Sequence, residues 1–155
     1  MRSLIQRETG TDERTPLRQS EPADESIGES GLFRLGRVLF GAVLAVMATD
    51  NFRNLEGRIQ YAESKDAPVP ALSVPAASGG LLFGGLGVAL WRVPVASAAA
   101  VAAFFAGTTP LMHDFWEMDD PEMRQQEFFH FAKNTALLGA ALAFLKLGLS
   151  EASEE

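Results

Sequence analysis

The chain has 155 residues, 47% of them hydrophobic, carries a formal net charge of −7 and contains no cysteine. One domain is the default expectation at this length. The lack of thiols excludes disulfides, a thiol redox pair, iron–sulfur ligation and thiolate-bound haem or zinc. Only two histidines are present, His113 and His130, too few for a histidine-rich site, so no metal ligands are assigned.

The average charge conceals a segregated chain. Ionisable residues concentrate in 1–30, in 50–66, in 114–127 and in the last five positions, with four apolar blocks between. Three lysines stand against ten arginines and twenty acids, a bias that suits a salt-loving source whose surface carboxylates retain water. Residues 1–31 are rich in Glu, Asp, Ser, Thr, Arg and Pro without a continuous apolar run. They read as a disordered acidic N-terminal tail and not as a signal peptide.

Residues 32–149 read as an all-α integral membrane domain, a four-helix transmembrane bundle, followed by an acidic tail over 150–155. Block one is GLFRLGRVLFGAVLAVMATDNF. Its charge-free stretch, Val38 to Thr49, would span only about 18 Å as a helix. A full crossing therefore runs from about Gly31 to Phe52, with the Arg34 and Arg37 stems snorkelling to the headgroups. The next segment contains NLEGRIQYAESK, where Leu55, Ile59 and Ala62 share helical spacing. That predicts a short amphipathic helix on the membrane surface, with Tyr61 on it.

Blocks two, Leu72 to Trp91, and three, Val93 to Met112, are free of charge and long enough to cross a bilayer. Only Arg92 separates them, next to Pro94, which predicts a tight antiparallel hairpin. Gly80 and Gly84 stand in GxxxG spacing, where small faces let helix backbones approach in lipid. Packing inside the bundle is the favoured use, with a homo-oligomer as the alternative. Then comes the acidic HDFWEMDDPEMRQQE, and block four runs from about Phe128 to Leu149. Phe115, Trp116, Phe128 and Phe129 fit an interfacial aromatic belt.

Lysine and arginine counts orient the bundle. The N-tail with Arg34, Arg37, Arg92 and Lys146 makes eight basic residues on one side, against five on the other. This predicts a multi-pass cell-membrane protein with both termini cytoplasmic. The outer side is too acidic for a nucleic-acid surface.

That outer side collects the candidate site: Asp50 and Asn51 closing block one, His113 and Asp114 closing block three, and Glu127, His130, Lys133 and Asn134 opening block four. Glu127, His130 and Asn134 follow i, i+3, i+7 spacing on one stripe, with Lys133 bordering it. An ionisable residue near a span is a functional-site candidate by default. Two readings follow: interfacial caps and ion pairs, or an outward-facing polar pocket in which Lys133 pairs with Asp114, or else Asp50, and Asn134 orients the pair.

The stretches GRVLFGAVLAVMATDNF, YAESKDAPVPALSVP, GGLLFGGLGVAL and MHDFWEMDDPEMRQQEFFHFAKNTALLGAAL together resemble the DoxX family of small four-helix membrane proteins. The most specific runs are His113-Asp114-Phe115-Trp116 and Lys133-Asn134 with Ala136, Leu137 and Gly139. Family members often carry an Asn-His pair where Asp50 and Asn51 stand here. The resemblance implies a redox-associated subunit, linked to quinol oxidation, thiosulfate:quinone oxidoreduction or membrane oxidative-stress complexes. It does not imply that this chain catalyses electron transfer alone; any activity would be that of a quinone-linked oxidoreductase subunit. The expected function is an accessory membrane subunit of a quinone-linked respiratory or oxidative-stress complex, with other membrane or redox subunits as partners. The alternative is a quinone or small-molecule carrier using the outer pocket.

Overall fold

The computed structural model describes residues 30–154, so the tail expected over 1–31 lies outside the described residues except for its last two positions. Five α-helices follow: α1 Gly31–Arg53, α2 Leu55–Ser64, α3 Pro70–Leu90, α4 Pro94–Met112 and α5 Pro121–Ala152, with a 3-10 turn at Phe115–Glu117 before α5. Among the described residues there is no strand. α1, α3, α4 and α5 are each long and apolar enough to cross a membrane, as the four blocks require.

The helix starts are written in the sequence. α3, α4 and α5 each begin on a proline, whose missing N–H would have no partner in a first turn and whose φ is already helical. The Ser30 hydroxyl accepts from Phe33 N–H at 3.2 Å. The Asp120 carboxylate accepts from the N–H groups of Glu122 and Met123. Because Asp120 caps there, α5 begins at Pro121 and not near Phe128, and the run PEMRQQE is helix where a loop was expected. At its other end α5 continues into the expected tail, to Ala152. Its 32 residues make a helix of roughly 48 Å, well beyond the ~30 Å of hydrocarbon.

Extensive packing runs α1 on α3, α3 on α4 and α4 on α5. Leu44 and Ala48, Leu81, Val101, Ala102 and Phe105, and Ala141 from the four long helices form one buried core. α1 and α5 are joined through aromatic rings: Phe144 meets Phe40 at 5.1 Å and Phe33 at 5.9 Å. At the end of the bundle where α1 starts and α5 ends, Arg37 departs from the expected snorkelling. It bends inward, and Nη1 donates to Ala89 O at 2.7 Å beneath the Trp91 ring. The carbonyls of a helix's last turn lack partners within the helix, so the arginine caps α3. Trp91 makes the turn into α4 with a φ of 55° and donates Nε1–H to Glu151 at 2.8 Å. The predicted hairpin is therefore present, tied to both neighbours.

The small residues divide by face. A Cβ placed on Gly84 would stand 2.6 Å from Val101 Cγ2 and 2.8 Å from Ser97 O. On Gly41 it would strike the Gly85 carbonyl, and on Gly87 the Ser97 hydroxyl. Gly80 has nothing within 4 Å of that position. The GxxxG pair is thus not one interface, and Gly80 does not share the face expected for it.

A paired substitution separates the two roles. Gly84→Ala forces α3 and α4 apart and is expected to destabilise the bundle by about 1–3 kcal/mol. Gly80→Ala adds helix propensity without a clash and should be neutral or stabilising by up to about 1 kcal/mol. Unfolding in mild detergent, followed by circular dichroism, reads both.

Candidate functional site

The other end of the bundle, where the connections α1–α3 and α4–α5 lie, collects the polar residues. His113 is the first residue past α4, and its N–H still bonds Thr109 O. Its Nδ1 lies 2.7 Å from Glu127 Oε2 on α5. Its ring stacks on His130 with centroids 5.2 Å apart and planes inclined by 12°. Glu127 and His130 reach the same side of α5 because they are three residues apart. One turn further on, Lys133 Nζ is 3.4 Å from His130 Nδ1. The side chains of His113 and Glu127 are 22% and 23% exposed, so both are largely covered.

Donor and acceptor roles follow from the partners. An ammonium only donates, so His130 Nδ1 accepts, and a neutral His130 carries its proton on Nε2. An ionised carboxylate only accepts, so His113 donates through Nδ1, and neutral His113 leaves Nε2 as an acceptor. The two stacked rings thus leave one N–H and one lone pair on their Nε2 atoms. Such an arrangement can bind the oxygen functions of a polar headgroup and can hand a proton on.

The pairings of the flanking groups differ from expectation. Asp114 binds Lys65 of the α2–α3 connection, with Nζ to Oδ1 at 2.5 Å, and does not meet Lys133. Asp50 accepts from Arg58 Nη2 and Asn54 Nδ2, each at 3.0 Å, and its carboxylate is 52% exposed at the α1–α2 corner. Lys133 lies on an exposed face of α5 and reaches only along its own helix. The expected Lys133–Asp114 pair, with Asp50 as second choice, is therefore corrected. The physical reason is helix rotation: Asp114 faces the α2–α3 connection while Lys133 faces outward. Asn51 and Asn134 form no side-chain hydrogen bond among the described residues, so Asn134 orients no such pair. Of the eight expected residues, His113, Glu127, His130 and Lys133 form one connected cluster, Asp114 adjoins it in sequence, and Asp50, Asn51 and Asn134 stand outside its contacts.

Two participants escaped the sequence reading. Lys65 and Tyr61 fasten α2 to the far end of α4, Tyr61 Oη donating to Met112 O at 3.2 Å. Their i, i+4 spacing places both on one side of α2, and that was the available signal. The hydrogen bond to Asp114 holds the Lys65 ammonium above its ordinary 10.5, with the Asp114 charge adding to it against partial desolvation. Partial desolvation raises the Tyr61 phenol above 10.0, with the Glu127 and Asp114 charges adding to the rise and Lys65 opposing it. Both groups therefore lie within the electrostatic reach of Glu127. Phe115 meets Phe128 and Phe131 at 5.4 Å, and Trp116 meets Phe131 at 5.9 Å, making an aromatic ring cluster at the same end.

The sequence model described as DoxX matches residues 32–114. No curated protein and no solved structure matches the chain. The matched stretch holds α1 to α4 with His113 and Asp114, while Glu127, His130 and Lys133 follow it on α5.

The raised Lys65 sets a pH signature. A cation stabilised in the folded state contributes fully below its unfolded value, near 10.5, and the contribution fades as pH climbs through the higher folded value. Lys65→Met is expected to cost about 1.5 kcal/mol at neutral pH. The gap to wild type should stay level up to about pH 10 and close above that. Detergent unfolding across this range measures it.

Proposed function

The chain belongs to the DoxX family, and on that premise we propose that it is an accessory membrane subunit of a quinone-linked respiratory or oxidative-stress complex. The observation that supports this reading is the stacked pair His113 and His130, presenting an N–H and a lone pair at one membrane interface. A quinone ring carries carbonyl oxygens that accept hydrogen bonds, and its reduced form carries hydroxyls that also donate. An adjacent donor and acceptor suits both forms. In this reading the chain holds the headgroup and exchanges its proton, while electron transfer belongs to the partner subunits. Glu127 orients His113, and Lys133 fixes the tautomer of His130.

Purification in mild detergent tests the proposal through two readouts, the proteins that accompany the chain and the quinones extracted from it. Both should be present in wild type. His113→Ala should lower the quinone content several-fold. A solitary chain that still carries quinone would favour the carrier reading. A solitary chain without it would remove both.

The bundle is further read as lying in the cell membrane with both termini in the cytoplasm, which places the imidazole pair on the outer side. The balance of basic residues is the support. The natural chain contains no cysteine, so single cysteines at Ala67 and Glu117 report without background. They should react with an impermeant thiol reagent on intact cells, and a cysteine at Arg92 should not. The reverse pattern would invert the orientation.

A further inference from the structure

α2 and the stretch 65–69 are fastened on both sides of His113. Tyr61 Oη holds Met112 O, the residue before it, and Lys65 Nζ holds Asp114, the residue after it. The fastened stretch is strained: Asp66 has a φ of 52° and Val69 a φ of 44°. Asp tolerates the left-handed region, but a β-branched residue there is an outlier, and Val69 also precedes a proline, which disfavours helical ψ. Elsewhere α2 rests mainly on α3 and only lightly on α1. A light element, strained at its hinge, anchored by the buried Ala62 and clasped by a few polar contacts, has two competing tendencies: the strain favours release, and the clasp favours closure.

We infer that α2 with residues 65–69 is a lid over the His113–Glu127–His130 site, and that the Lys65–Asp114 ion pair is its latch. When the latch opens, the imidazole edges become accessible to an incoming headgroup. When it closes, Tyr61 and Lys65 cover the exit of α4. Lys65 and Asp114 act as positioning residues, through the lid and not through the ligand. The inference rests on the stacked histidines being the functional site, but its test requires no quinone and no partner.

The purified full chain is treated with diethyl pyrocarbonate, which modifies imidazole nitrogens. Both histidines of the chain lie in the site, so the total rate reports its accessibility. Lys65→Met and Asp114→Asn should each raise the rate several-fold at an unchanged fold, judged by circular dichroism. Lys65→Arg should stay close to wild type, and the reversed pair Lys65→Asp with Asp114→Lys should return toward it. An unchanged rate in folded Lys65→Met overturns the lid. Should the single variants fail to fold, hydrogen exchange of the wild type decides. The amides of residues 55–69 should exchange much faster than those of Gly84–Val88 in the core of α3. Equal protection of the two would show that α2 does not open by itself, and the inference would fall. A flat modification rate sinks the lid without touching the quinone reading. Loss of the quinone reading leaves this result intact.

Discussion

The close approach of α3 to its neighbours is the contact on which the rest of the bundle depends. Between helices in lipid there is no water to exclude, so association must come from packing and polar contacts. α3 meets this with consecutive glycines aimed at different neighbours: Gly84 and Gly87 admit Val101 and Ser97 of α4, and Gly85 admits Gly41 and Leu44 of α1. Arg37, reaching from α1 to the last carbonyls of α3, locks the α1 contact at the terminal end. With α3 placed, α4 is placed by the short turn through Trp91, and α5 by its contact with α4, where Gly148 lies against Pro94 and Val95. α2 has no comparable glycine contact, since nothing lies within 4 Å of a Cβ placed on Gly57. It is held at the surface by Ala62, which is 1% exposed, and by its polar tethers.

This order of constraint explains why the polar cluster sits where it does. α4 ends at Met112, so His113 emerges just past the last turn with its ring free to leave the helix. The connection that follows is short, and Asp120 starts α5 early. By Glu127 and His130, α5 has completed two turns and runs beside the end of α4. An α5 beginning near Phe128 would put His130 in its first turn and leave Glu127 outside the helix. The excess length of α5 is therefore part of the site. Its first turns stand out from the apolar block and carry the carboxylate that His113 needs.

What the sequence disclosed and what it withheld divide along a physical line. The spans, the hairpin at Arg92 and the surface helix around Tyr61 depend on length, polarity and local periodicity, which a single chain displays directly. The gathering of His113, Glu127, His130 and Lys133 at one end follows from topology, since each lies near a helix terminus on the same side. Pairing is another matter. Whether Asp114 meets Lys133 or Lys65 depends on how far α4 and α5 rotate about their axes, and their apolar faces are too uniform to fix that rotation. The same uniformity hid the difference between Gly80 and Gly84, which only contact with α4 distinguishes. Arg37 misled for a related reason: a long side chain near a helix end can turn outward to headgroups or inward to carbonyls. The inward choice requires the C-terminus of α3 to be within reach.

The charges around the imidazoles complete the picture. Lys133 stands on the His130 side of the stack and Glu127 on the His113 side. The stack therefore lies between an anion and a cation. The geometry gives two chemically identical side chains different partners: His113 donates through Nδ1 to Glu127, and His130 accepts at Nδ1 from Lys133. Lys65 and Asp114 sit beside this polarised pair and cancel each other's charge. Opening their ion pair would therefore change more than access. It would leave the Asp114 carboxylate without its cation one residue from His113. The surroundings of the imidazole pair are in this way tied to one contact between a surface helix and the end of a membrane span.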